Sequence, residues 1–102
     1  ELLEAVMVLD NSCYPEYRSG DIIYVKRNAE SLHDLATAGV ECYVETQDGK
    51  HYLRRVVATT DPTLWTLVGY FNEPVPNVRI RFARPIAWVQ RNTDLKVTEQ
   101  VV

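Results

Sequence analysis

The chain has little of several things. Among its 102 residues are one methionine, two cysteines and four glycines, and no apolar run is longer than a handful of residues. A membrane-spanning helix needs about 18 or more consecutive apolar residues, so no such span can be drawn, and no signal-peptide pattern opens the chain. Lysine and arginine number 11 against 14 aspartates and glutamates, a net charge of -3. That balance is the reverse of the basic footprint carried by a domain that grips nucleic-acid phosphates. The expectation is a cytoplasmic domain that touches neither membrane nor DNA directly. Cys13 and Cys42 form neither a CxxC pair nor a ligand cluster with His33 and His51, which argues against a metal. Two reduced thiols are the plain reading, and no cofactor is expected.

With 46% hydrophobic positions the chain suits a single domain over residues 1–102, with one core and no room for two comfortable ones. It opens at Glu1, without methionine and already in strand-like sequence, so a fragment with sequence missing upstream is expected. Residues 4–9, "EAVMVL", form a short apolar run ended by the Asp10, Asn11, Ser12 turn cluster, and residues 21–27, "DIIYVKR", alternate with Ile23 and Val25 on the buried face. In "NAESLHDLATAG" the β pattern lapses. Ser31, Leu32, Leu35 and Ala36 allow one or two helical turns, stopped by Gly39. "VECYVET", then an Asp48, Gly49 turn, then "KHYLRRVVA" is the strongest hairpin signal. "DPT" at 61–63 and "NEPVPN" at 72–77 punctuate two further strand runs, "LWTLVGYF" and "VRIRFARPIAWVQR". Pro85 cannot donate a ladder hydrogen bond, so a bulge, kink or edge position is expected there. Short strands separated by turns, without repeats or linkers, predict an all-β, mainly antiparallel, partly closed architecture.

Residues 10–21, "DNSCYPEYRSGD", pose the chemical question. A serine hydroxyl attacks only when a base lies within hydrogen-bond reach. The candidates His33, His51, Lys26 and Lys50 make no recognisable catalytic spacing with Ser12, so on its own residues Ser12 reads as a turn serine. Trp65 and Trp88 read as core or interface aromatics. Arg79 and Arg81 alternate with Val78, Ile80 and Phe82, as on a strand with one wet face.

The order of "SCYPEYRSGDIIYVKR", "GVECYVETQDGKHYLRRVV", "WTLVGYFNEPVP" and "RFARPIAWVQR" resembles the C-terminal domain of LexA-like and phage repressors, the S24 family of serine peptidases, over roughly residues 5–91. In that family a Ser-Met-x-Pro turn, followed shortly by Gly-Asp, opens the first hairpin. Here Ser12, Cys13, Tyr14 and Pro15 precede Gly20 and Asp21. The resemblance implies the bent-sheet LexA/signal-peptidase-like fold with little helix, and makes Ser12 the nucleophile position. The family's lysine lies in a strand of the form aromatic-x-Lys-Arg-aliphatic. The matching segment is Tyr52, Leu53, Arg54, Arg55, Val56, so Arg54 stands at the lysine position. Residues 67–72 look like the family's "L-x-S-x-N" strand and turn, and the closing strand carries Ala83 where the family has glycine.

Arginine at that position matters physically. A buried lysine can surrender its proton near neutral pH, whereas a guanidinium keeps it. The dyad is therefore expected to be degenerate. Lys50, four residues earlier and so about 13 Å away along a regular strand, is a poor substitute. Cys13 is expected to pack rather than attack.

What the resemblance implies is a regulatory and dimerisation domain of a phage-type or SOS-type transcriptional repressor. Operator DNA would be read by an N-terminal helix-turn-helix outside this chain, and two half-sites require two reading heads. A homodimer through the closing strand is implied, with Phe82, Arg84, Pro85, Ile86, Trp88 and Arg91 as interface candidates. The alternatives are an active self-cleaving S24 peptidase, in which Ser12 attacks an upstream segment of its own chain, and an unrelated β-rich interaction module.

Overall fold

The computed structural model describes residues 2–9, 16–28 and 30–92. Among these described residues seven strands and one short helix follow in the order β1 (Leu3–Met7), β2 (Ile22–Lys26), α1 (Leu32–Ala38), β3 (Glu41–Thr46), β4 (His51–Ala58), β5 (Trp65–Val68), β6 (Val75–Val78) and β7 (Ile80–Gln90). All pairings are antiparallel, in the spatial order β1-β2-β7-β3-β4-β5-β6. The all-β, antiparallel expectation holds, and no helix among the described residues is long and apolar enough to cross a membrane.

The local signals are explained by their chemistry. Asp48 and Gly49 close the β3–β4 hairpin, with Gly49 at φ 86°, where a side chain would be strained, and with the Thr46 N–H donating to the Lys50 carbonyl at 2.9 Å. The Ser31 hydroxyl caps α1 by accepting from the Asp34 N–H, and Gly39 ends it in the left-handed conformation, its N–H donating to the Leu35 carbonyl. Residues 72–77 are not all turn, however. Val75–Val78 is strand β6, with Pro76 inside it. β6 is an edge strand, where a missing N–H leaves no ladder bond broken.

The last run is not one regular strand. Arg79 separates β6 from β7, so the chain passes in a single residue from the outer edge of the sheet back to its middle. The five strands β7-β3-β4-β5-β6 must curl to allow this. Inside the curl lies the first core, with Cys42, Val44, Val56, Leu67 and Ala83 essentially inaccessible and Leu35 of α1 packed over them. Here Cys42 is a buried free thiol, its S–H directed at the Val40 carbonyl. Burial, reinforced by the negative charges of Glu30 and Glu41, pushes that thiol up to about 12.

β7 serves two partners in succession. Residues 80–85 pair with β3, and residues 86–90 pair with β2. Pro85, which is buried, sits at the changeover, opposite Cys42. Two bulges flank it. Thr46 faces Ile80 and Glu45 faces Phe82, leaving Arg81 extra. Tyr24 faces Trp88 and Val25 faces Ile86, leaving Ala87 extra. Each bulge bends the strand and reverses which side of it alternate residues occupy. Val78 and Ile80 are buried as the simple alternation predicts, but Ala83 rather than Phe82 continues into the first core. Ile86 and Val89, three apart, both reach the second core of Val8, Tyr17, Ile23 and Val25.

Candidate functional site

Ser12 and Cys13 lie outside the described residues, so the site is built from what surrounds the two ends of residues 10–15. On the upstream side Val8 is tied to the β2 entry: its N–H donates to the Asp21 carbonyl at 2.9 Å, and its carbonyl accepts from Gly20 N–H at 2.7 Å. Downstream, Asp21 is completely buried and organises the return. Its carboxylate accepts from the backbone N–H groups of Arg18 (2.9 Å) and Asn92 (2.7 Å) and from Arg91 Nη1 (3.0 Å). Burial alone would raise the Asp21 carboxyl; those three donors outweigh it and hold the group below the ordinary aspartate range. Gly20 has φ 94°, and a Cβ there would lie 2.3 Å from Asn92 Nδ2. Gly20 and Asp21, singled out by motif, thus bind the turn to the end of β7.

Glu16 and Tyr17 cross to the other half of the molecule. The Glu16 carboxylate accepts from Tyr70 N–H at 3.0 Å, and its backbone carbonyl accepts from Arg91 Nη1 at 2.6 Å. Tyr17, buried in the second core, donates its hydroxyl proton to Glu41 Oε1 at 2.8 Å, and the Arg91 guanidinium lies over its ring. Burial and the Glu41 contact push the Tyr17 phenol strongly upward.

Arg54 stands where β4 loses its β5 partner, since that ladder begins at Arg55 and Val68. Its Nη1 donates to the Glu73 carbonyl at 2.7 Å, and its guanidinium lies 5.4 Å from the Tyr52 ring centroid. A Cβ on Gly69 would lie 3.5 Å from Glu16 Oε1, 3.7 Å from Asn72 Nδ2 and 3.8 Å from Arg54 Nε. Gly69 is therefore the meeting point of Arg54 and the segment leaving residues 10–15. Glu16, Tyr17, Glu41 and Gly69 were not among the sequence candidates. Their side-chain types carry no motif, and only the crossing of residue 16 to the β5–β6 loop brings them together.

The other candidates fall elsewhere. Lys50 lies in the β3–β4 turn, its N–H donating to Thr46 Oγ1, at the far end of the β4 half that Arg54 closes. His51 Nε2 is 2.8 Å from Glu45 Oε1, and its ring stacks on Tyr43. Glu45 also accepts from Arg81, and the His51 contact with the Arg81 charge holds Glu45 below the ordinary glutamate range. His51 borders a groove of about 570 Å³ between the end of β1 (Val6) with the residues just after it (Leu9) and the start of β4 (Leu53). His33 lies on α1 and Lys26 pairs with Glu30. No cluster of metal-ligating side chains occurs among the described residues.

The six interface candidates are scattered by the two bulges. Pro85 is buried, Phe82 lies against Tyr43 and the Arg84 guanidinium, Ile86 packs on the second core, Arg84 is paired with Glu4 and Arg91 with Asp21. Trp88 is 51% exposed. It stacks on Tyr24 at 4.3 Å between centroids, and the register sets Ala5 beside Tyr24 on the same outward face, with Leu3 and Met7 of edge strand β1 flanking them. Trp65 packs on the first core. No family model matches the chain, and neither a curated protein nor a solved structure does so.

Proposed function

We propose that the chain is the regulatory and dimerisation domain of a phage-type or SOS-type transcriptional repressor whose self-cleavage chemistry has decayed. The observation that carries this reading is Arg54. At the position where the resemblance expects a proton-accepting lysine stands a guanidinium bonded to the Glu73 carbonyl and lying over Tyr52, beside the Gly69 backbone on which Glu16 docks. A guanidinium does not act as general base, but it holds the neighbouring loop in place. The outward apolar face around Trp88, Tyr24 and Met7 supports dimerisation, because such a face is covered in many self-associating proteins. Dimerisation links two operator-reading domains and raises their joint affinity through effective concentration, without DNA contact from this domain.

The test is intact-mass spectrometry of the full-length natural chain after incubation at neutral and alkaline pH, together with its Ser12→Ala and Arg54→Lys variants. An uncut parent, with cutting restored in Arg54→Lys and abolished by Ser12→Ala, is the expected result. A parent that cuts itself, dependent on Ser12, would establish the active peptidase instead. Sedimentation of the chain and of Trp88→Glu tests the dimer: the parent sediments as a dimer and the variant as a monomer.

A further inference from the structure

Among the described residues the sheet ends in two edge strands, β1 and β6. β6 carries Pro76; β1, with the sequence LEAVM, has neither the proline nor the lysine that keeps an edge from pairing. Its ladder with β2 fixes what β1 offers. Arg27 N–H donates to the Leu2 carbonyl at 3.3 Å and Val8 N–H to the Asp21 carbonyl at 2.9 Å, while Leu3 faces Lys26, Ala5 faces Tyr24 and Met7 faces Ile22. Residues of an antiparallel strand alternate between bonding to a neighbour and directing their backbone groups away from it. The even-numbered residues therefore bond to β2, and the N–H and C=O groups of Leu3, Ala5 and Met7 point to the free edge, where no described strand meets them. All three residues are exposed.

We propose that β1 is the seam of a homodimer: β1 of one copy pairs antiparallel with β1 of a second copy about a two-fold axis between the two Ala5 residues, joining the two sheets. The second copy is the occupant because the strand is complementary to itself. In this register Ala5 faces Ala5, and Leu3 of each copy faces Met7 of the other, each such pair exchanging two hydrogen bonds. Glu4, the strand's one charge, is bound by Arg84 of its own copy and falls opposite Val6 of the other. No like charges are set against each other across the seam. On the outward face Leu3, Ala5 and Met7 of both copies link the two exposed Trp88 side chains, each stacked on its Tyr24, into one apolar strip. The arrangement also closes on itself. Pro76 withholds an N–H from the β6 edge, so the product is a dimer and not a growing sheet. The inference deepens the dimerisation part of the proposed function and rests on it.

The test combines sedimentation of the full-length natural chain and its Ala5→Pro variant with amide hydrogen exchange of the parent across a dilution series. Ala5 N–H makes no bond to β2, so proline there leaves that ladder intact but removes the central pair of the seam. The variant is expected to dimerise at least about tenfold more weakly. In the parent the Leu3, Ala5 and Met7 amides are protected and lose protection on dilution to monomer, whereas the Glu4 and Val6 amides keep theirs. A parent that is monomeric overturns both this inference and the dimer reading. A parent dimer unaffected by Ala5→Pro, or one whose Leu3, Ala5 and Met7 amides exchange freely, overturns the seam and leaves the dimer. Protection of these amides that survives dilution to monomer also overturns the seam, by showing that another part of the same chain holds the edge. Should Ala5→Pro fail to fold, the exchange of the parent decides alone.

Discussion

Replacing Asp21 by asparagine is the sharpest perturbation the structure offers. The carboxylate is fully buried and has three donors, at 2.7, 2.9 and 3.0 Å. Hydrogen bonds to a charged acceptor contribute about 1.5–3 kcal/mol each before the desolvation of the charge is set against them. The Arg91 side chain is 54% exposed, so solvent screens its share to about 1 kcal/mol or less. Asparagine keeps one acceptor oxygen and turns an NH₂ toward a backbone donor, which leaves one buried N–H unsatisfied and one repulsive contact. The net loss at pH 7 is about 3 kcal/mol. For a domain of this size that lowers Tm by roughly 12–24 °C. The pH dependence gives a second reading. Asp21 is held below its ordinary range, so its contribution is complete above the unfolded value of about 3.9 and is lost as pH falls through the lowered folded value. Denaturant unfolding at pH 7 and pH 3 therefore shows a gap between parent and Asp21→Asn that narrows in acid. A variant within about 0.5 kcal/mol of the parent at pH 7, or a gap that stays constant down to pH 2, would refute the reasoning.

Three further outcomes follow from the packing. Leu67→Ala, which empties a fully buried position in the first core, lowers stability by about 2–5 kcal/mol in urea unfolding, with the slope unchanged. Gly20→Ala combines positive φ with a collision at Asn92 and costs more than Gly49→Ala, where φ is positive but nothing lies within 4 Å; paired melting curves rank the two, with Gly49→Ala losing about 1 kcal/mol. The Cys42 peptide resists alkylation in the folded chain at pH 8 and is labelled once denaturant is added, because burial holds the thiol protonated up to about 12; peptide mapping separates it from Cys13.

How much of this could be read beforehand depended on the range of the interaction. The β3–β4 hairpin was legible because Asp48 and Gly49 set their own backbone conformation. The short helix was legible because Ser31 and Gly39 act on groups three or four residues away. Pro76 misled, since a proline signals a turn and its tolerance on an edge strand depends on what lies beside it. Arg54 was recognised as a departure from a motif, but its partner Glu73 lies 19 residues on and Gly69 acquires its role only from Glu16.

What the sequence by itself determined is the class of fold: alternation of apolar and polar residues with period two, cut by Gly, Pro and Asp, leaves an antiparallel sheet as the way to bury one face. What only the tertiary structure decided is the facing of β7. Its alternation is broken at Arg81 and Ala87 because residues 80–85 must follow β3 and residues 86–90 must follow β2. Each extra residue reverses the parity, sending Ala83 and Ile86 into different cores and turning Trp88 outward. A bulge leaves no mark in the residue that forms it; it arises where two partner strands impose registers that one regular strand cannot satisfy.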